Sequence, residues 1–153
     1  MKVEFINPFL ESIVNVLETM ANVKVTHGKP QRKEDDTAKG DVTGVIGMAS
    51  EQVKGSLAIT FTSDAIFDIA KRMLGEEVAE INNTVTDLVG EITNMVTGGA
   101  KRVLAEQGYD FDMAIPAVVA GKNHRITHKS SGMKIVIPFS IPAGIFYVEV
   151  CFE

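Results

Sequence analysis

The sequence predicts an α/β chain of the α+β kind, a single domain in which an antiparallel or mixed β-sheet is layered with α-helices. Three observations predict it. Helical periodicity appears in separate segments, strand alternation appears in hairpin-length pairs, and no strict strand–helix–strand rhythm links them. With 153 residues the chain fits one domain of common size with a sizeable core. Hydrophobic residues make up 45% and Trp is absent, so that core is built from Ile, Val, Leu, Met and Phe.

The elements follow in chain order. Asn7-Pro8 predicts a helix start, with asparagine as N-cap and proline in the first helical position, where a missing N–H costs nothing. Phe9, Ile13, Val16, Leu17 and Met20 recur at helical spacing until about Ala21 or Asn22. Val23 to His27 reads as a short strand. Residues 28–41 turn polar and predict an exposed, mobile loop, because nothing in them suggests an anchor to a core.

Val42 to Ala49 and Val53 to Thr62 read as strands joined by Ser50-Glu51-Gln52. In the second, Leu57, Ile59 and Phe61 alternate with Ser56, Ala58 and Thr60, which predicts one buried and one wetter face. Ser63 is placed to cap a helix from Asp64 to Leu74, with Ile66, Phe67, Ala70, Met73 and Leu74 inward and Gly75 as terminator. The longest helix runs from about Thr84 to Gln107, opened by a capping box at Thr84-Val85-Thr86-Asp87 and stopped by Gly108. Met113 to Ala120, Met133 to Ile141 and Ile145 to Phe152 read as closing strands, the last two joined by Pro142-Ala143-Gly144. Both halves begin with a helix and continue into strands, an order that hints at internal duplication.

A formal charge of −5 and a pI near 5.2 argue against general affinity for nucleic acid or an anionic membrane. The one cysteine, Cys151, cannot form an internal disulfide and points to a reducing, cytoplasmic setting. Met1-Lys2-Val3-Glu4-Phe5 is not a charged stretch followed by a long apolar run, so no secretory signal is expected. No run of about 18 apolar residues predicts a membrane span.

The longest helix carries the chemistry. At about 100° per residue, Val85, Leu88, Val89, Ile92, Met95, Val96, Gly99 and Val103 fall on a core-facing side. Asp87, Glu91, Asn94, Gly98, Lys101 and Ala105 fall opposite, and Glu91 and Asn94 are neighbours at i and i+3. Each mid-helix glycine costs roughly 1 kcal/mol relative to alanine. For Gly99, facing inward, close packing of helix on sheet accounts for this. Gly98 faces outward one turn beyond Asn94, a flat spot that lets another protein's surface come close.

The stretch Gly90-Glu91-Ile92-Thr93-Asn94-Met95-Val96-Thr97-Gly98 resembles the hallmark of the CheC/CheX chemotaxis phosphatases. That hallmark is a Glu-x-x-Asn pair on a surface helix, in a context like Gly-Glu-Ile-x-Asn-x-x-x-Gly. The Asn7-Pro8-Phe9 opening, the segment Pro116-Ala117-Val118-Val119-Ala120-Gly121 and the closing pair of strands also resemble the CheX branch, so nearly the whole chain is covered. Two-copy members carry a second pair on the first helix. Here Glu11 is followed by Asn15, with Val14 in the required place, which implies one active site per chain.

The resemblance implies a CheC-like fold, a homodimer paired through its sheets, and removal of the aspartyl phosphate from a CheY-like response regulator. It implies roles for two catalytic residues. Asn94 inserts its amide into the regulator's site and orients the attacking water, and Glu91 pairs with the regulator's lysine to set the docking register. Mg2+ is then expected on the partner, and this chain needs no cofactor or metal of its own. A non-catalytic module that binds the regulator without hydrolysis is the alternative.

Other candidates read as structural. His124 and His128 are four apart, but their stretch looks like loop with no Cys or acidic ligand nearby, so no metal site is predicted. Lys122, Arg125, Lys129 and Lys134 make the same stretch basic, a solvated face or a contact for an acidic partner. Cys151 reads as a small buried apolar residue. Asp87 and Lys101 flank the polar stripe as solvated residues.

Overall fold

Alternation decides where the core lies. In a computed structural model that describes residues 3–128, 130 and 132–153, Phe146, Val148, Val150 and Phe152 are buried on the same face as Leu57, Ile59 and Phe61. The elements run α1 (Val3–Met20), β1 (Thr26–His27), β2 (Gln31–Lys33), β3 (Val42–Ala49), β4 (Lys54–Phe61), α2 (Ser63–Leu74), α3 (Asn83–Glu106), β5 (Asp112–Met113), β6 (Ala117–Ala120), β7 (Lys134–Ile141) and β8 (Gly144–Phe152). All strand pairs are antiparallel. The sheet order is β1-β7-β8-β4-β3-β5, with β2 also on β7 and β6 also on β3. The three helices share one apolar cluster with the face that carries Val42, Ile46, Ile59, Ile137 and Phe146.

Several expected boundaries shift for physical reasons. The first helix begins at Val3 and not at Asn7, so Pro8 sits inside it. Phe5 is buried and stacks on Phe152 at 5.4 Å and edge-on to Tyr109 at 4.8 Å. That burial carries the helix through the one amide that proline lacks. The strand expected over Val23 to His27 shrinks to Thr26–His27. Thr62, not Ser63, occupies the N-cap of α2, and the Ser63 amide and hydroxyl both donate to the Asp41 carboxylate at 2.8 and 2.9 Å. Gly75 ends α2 in the left-handed conformation (φ 72°), while Leu74 is 46% exposed rather than inward. Pro142-Ala143 alone makes the last turn, since Gly144 pairs with Ile141.

The second face of the sheet is drier than alternation suggests. Ser56, Ala58 and Thr60 are all buried. They lie beneath residues 36–38 and 121–128, where Ala38 and Ile126 pack on Ala58 and the Ala38 amide donates to the His124 carbonyl at 2.8 Å. The expectation of an unanchored loop over residues 28–41 is therefore corrected. Gln31–Lys33 pairs with β7, and the Lys33 ammonium lies 2.8 Å from the Glu149 carboxylate with both side chains 3% exposed.

His128 joins this pair. Its Nε2 meets Glu149 at 2.8 Å and its Nδ1 meets the Ser56 hydroxyl. Sequence reading placed no acidic group near the histidines, because Glu149 arrives from a strand 21 residues away. His124 has separate partners, Thr43 at 2.5 Å and the Gly121 carbonyl at 2.7 Å. Within the basic stretch, Lys134 and Arg125 both reach the Asp36 carboxylate; Lys129 lies outside the described residues. Cys151 is fully buried, as expected.

The hint of duplication becomes a pseudo-two-fold relation. Met20 and Glu106, Thr26 and Asp112, and Gln31 and Ala117 are each 86 positions apart. After each long helix, two short strands pair with the outer strand of the other half's hairpin, β1 and β2 on β7, β5 and β6 on β3. The two hairpins meet between β4 and β8, with Ala58 opposite Glu149 midway between the Gly55–Phe152 and Phe61–Phe146 pairs.

Burial pushes the Glu149 carboxyl up, but hydrogen bonds and charge from His128 and Lys33 outweigh this and hold it below its ordinary value of 4.5. A depressed carboxylate contributes stability above its unfolded pKa and loses it as pH falls through the folded one. Urea midpoints should therefore fall as pH drops below 4.5, and fall less in a Lys33→Met/Glu149→Leu double variant. Lys33→Ala alone leaves a buried charge short of its partner and should cost about 3–5 kcal/mol. Wild-type stability of Lys33→Ala would mean that the pair is solvated.

Candidate active site

Helix α3 is started by the Asn82 side chain, which accepts from the Val85 amide at 3.1 Å, and not by a capping box at Thr84. Gly108 leaves the helix with φ 94°. The buried side is centred differently from the aliphatic count. Thr93, Thr97, Ala100 and Leu104 are buried with Val85, Leu88, Val89, Ile92 and Val96, while Met95, Gly99 and Val103 are only half-buried. Both threonines satisfy their hydroxyls within the helix, Thr93 donating to the Val89 carbonyl at 2.7 Å and Thr97 to the Thr93 carbonyl at 2.5 Å.

Two glycines let neighbouring elements press on this line. A Cβ on Gly44 of β3 would occupy the space of the Thr93 side chain and crowd Val89. On another flank, the Ser12 hydroxyl of α1 donates to the Val96 carbonyl at 2.7 Å, and a Cβ on Gly99 would overlap that hydroxyl. Gly99 thus accommodates a helix, not the sheet. Sequence reading missed Gly44, Thr93 and Ser12; the only available signal was the i, i+4 recurrence of hydroxyls at Thr93 and Thr97.

Seated this way, α3 exposes Asp87, Glu91, Asn94, Gly98 and Ala105, with Lys101 half-buried. No hydrogen bond or ion pair among the described residues engages the side chain of Glu91 or Asn94. Glu91 offers a carboxylate that only accepts, and Asn94 a neutral amide that both donates and accepts. A Cβ on Gly98 would meet nothing within 4 Å, so the surface is bare one turn past the amide. On the other side, Val118 of β6 lies within 3.6 Å of where a Gly90 Cβ would be.

A model of the family described as chemotaxis phosphatase CheX matches residues 42–140. The chain belongs to the CheX family. It is 59% identical to a CheC-like superfamily protein of Shewanella sp. PV-4 whose crystal structure superposes with a TM-score of 0.93, covering 100% of this chain and 99% of that one. The CheY-P phosphatase CheX of Thermotoga maritima is 25% identical over 92% of this chain and 90% of its own length. A CheX–CheY–BeF3–Mg2+ complex from Borrelia burgdorferi matches at 27% identity, 99% of both chains and a TM-score of 0.83.

Within this CheX family member, the first helix differs from the expected comparison at Glu11 and Val14. Matched by burial, the two helices themselves are related by 87 positions, which places Glu4 opposite Glu91 and Asn7 opposite Asn94, all four exposed, a second Glu-x-x-Asn spacing that sequence reading missed. The Tyr109 hydroxyl donates to the Glu4 carboxylate at 3.1 Å. Glu11 and Asn15 are exposed and Val14 is half-buried, about two turns further along the helix.

The two glycines on opposite sides of α3 should respond with opposite signs. Gly44→Ala overpacks the Thr93 contact and should destabilise by about 1–3 kcal/mol. Gly98→Ala fills open space in a helix interior and should stabilise by up to about 1 kcal/mol. Chemical denaturation checks both, and effects of one sign would contradict this seating of the helix.

Proposed function

We propose that the chain removes the phosphoryl group from the aspartate of a CheY-like response regulator, with Asn94 and Glu91 as its working residues. One observation carries the reading. Asn94 presents an exposed amide, engaged by no described residue, one turn from an equally free carboxylate and beside the bare surface of Gly98. The relationship to proteins named as CheY-P phosphatase and as a CheX–CheY complex supports the choice of partner.

The chemistry asks little of this chain. In hydrolysis of an acyl phosphate, the oxygen of water bonds to phosphorus, the bond to the aspartate oxygen breaks, and inorganic phosphate leaves. Phosphoryl transfer depends on positioning and charge stabilisation. The regulator's Mg2+ supplies charge neutralisation on the phosphoryl oxygens. Asn94, as a neutral amide, holds the water in line without bringing another negative charge to those oxygens. Glu91 pairs with the regulator's lysine and fixes the angle at which the amide enters. Gly98 lets the regulator's backbone approach the rod closely. The resemblance further supports a cytoplasmic homodimer.

Phosphate release from a Mg2+-loaded, phosphorylated CheY receiver domain tests the reading. Added protein should accelerate release, and Asn94→Ala should remove most of that acceleration, on the order of 10²-fold. Glu91→Ala should weaken complex formation by on the order of tenfold or more, and Gly98→Phe should block it while the fold persists. Binding without acceleration would favour the non-catalytic module, and a fully active Asn94→Ala would remove Asn94 from the site.

A further inference from the structure

Ile115 is 91% exposed, an unusual position for a large aliphatic side chain. It lies where β5 gives way to β6. Met113 to Ala117 takes four steps along the chain opposite the three from Met48 to Val45 on β3. One residue is therefore extra, a β-bulge, and bulges re-aim side chains and are frequent beside active sites. The bulge is held at its start by the Ala114 amide, which donates to the Gly47 carbonyl at 3.0 Å, and stiffened at its end by Pro116.

Its place relative to α3 follows from the register. The chain leaves the C-terminal end of α3, pairs at Met48 and Ala49, and returns along the edge of β3 until Val118 lies opposite Gly44 and beside Gly90. β5 and β6 thus run antiparallel to α3. Ile115 lies level with Ile46 and Gly47, about 7–10 Å from the level of Gly44 at the rise of a strand. At the rise of a helix that is about five to seven residues beyond Gly90, the level of Asn94 to Gly98. Rotation agrees with translation. Asn94 is turned only about 40° from Gly90, which faces β6, and Gly98 about 40° further.

We propose that Ile115 is a docking residue of the phosphatase site: an apolar knob that seats in an apolar depression on the receiver domain beside its phosphorylated aspartate. The proposal rests on the function assigned above to Asn94 and Glu91, and it makes the contact surface two-sided, polar on the helix and apolar on the bulge. The other half of the molecule supplies a contrast. The equivalent bulge lies between His27 and Gln31, where the Gly28 amide donates to the Pro138 carbonyl at 2.8 Å. It presents exposed Lys29 before Pro30. Beside the first helix the tip is charged, and beside Asn94 it is aliphatic.

The test measures affinity for a CheY receiver domain loaded with Mg2+ and beryllofluoride, a mimic of the phosphoryl group, together with steady-state phosphatase kinetics. Ile115→Ser should weaken binding on the order of tenfold and raise KM by a similar factor, with kcat within about twofold of wild type. Ile115→Leu should restore most of the affinity, and Lys29→Ser should leave it unchanged. Unchanged binding by Ile115→Ser alongside an inactive Asn94→Ala would overturn the docking role and leave the active-site reading standing. A fall in kcat without a change in affinity would also overturn it. Full activity of Asn94→Ala would sink the active-site reading and the docking role together.

Discussion

The distance between α3 and the sheet is set by a missing side chain. Gly44 leaves a notch into which Thr93 fits, and Thr93 lies on the turn between Glu91 and Asn94. Because the threonine hydroxyl is satisfied by the helix's own carbonyl, it can be buried there without an orphaned polar atom. Ser12 locks the flank in the same manner. Seating the helix here also sets its rotation, and rotation is what turns the carboxylate and the amide to solvent. A helix rolled by a third of a turn would keep a buried face and lose the site.

The polar stripe was legible because it depends only on helical periodicity, which a linear sequence carries in full. Glu91, Asn94 and Gly98 are exposed where the 100° spacing put them. The antiparallel hairpins were legible for the same reason. What could not be read were contacts made between distant segments. Gly44 and Thr93 belong to different elements, Lys33 meets Glu149 across 116 residues, and a polar run at residues 28–41 looks unanchored until its partner strand is known. Pro8 misled in a different way. Local propensity makes it a helix start, and the burial of Phe5 and Ile6 overrides that preference.

The second face shows how a sheet with helices on one side closes its other side with irregular chain. Residues 36–38 and 121–128 lie over it, held by Lys33, Glu149, His128, Ser56, Thr43 and His124. Each polar group there has a partner, and among the described residues no buried side-chain nitrogen or oxygen is left without one. Both ring nitrogens of His128 are engaged and Lys33 balances the carboxylate, so the cluster is complete in itself. It ties segments far apart in sequence to the central strands β4 and β8.

The quasi-symmetry of the two halves has a further meaning. At the positions of Glu91 and Asn94 the other half carries Glu4 and Asn7, both exposed, and the Tyr109 hydroxyl donates to the Glu4 carboxylate at 3.1 Å. The two lobes thus keep the same pair of side-chain types at the same spacing, but one of the two acids is already held by a phenol from the other lobe. An acid already engaged at home offers a visitor less than an idle one, and this sets the two ends of the molecule apart.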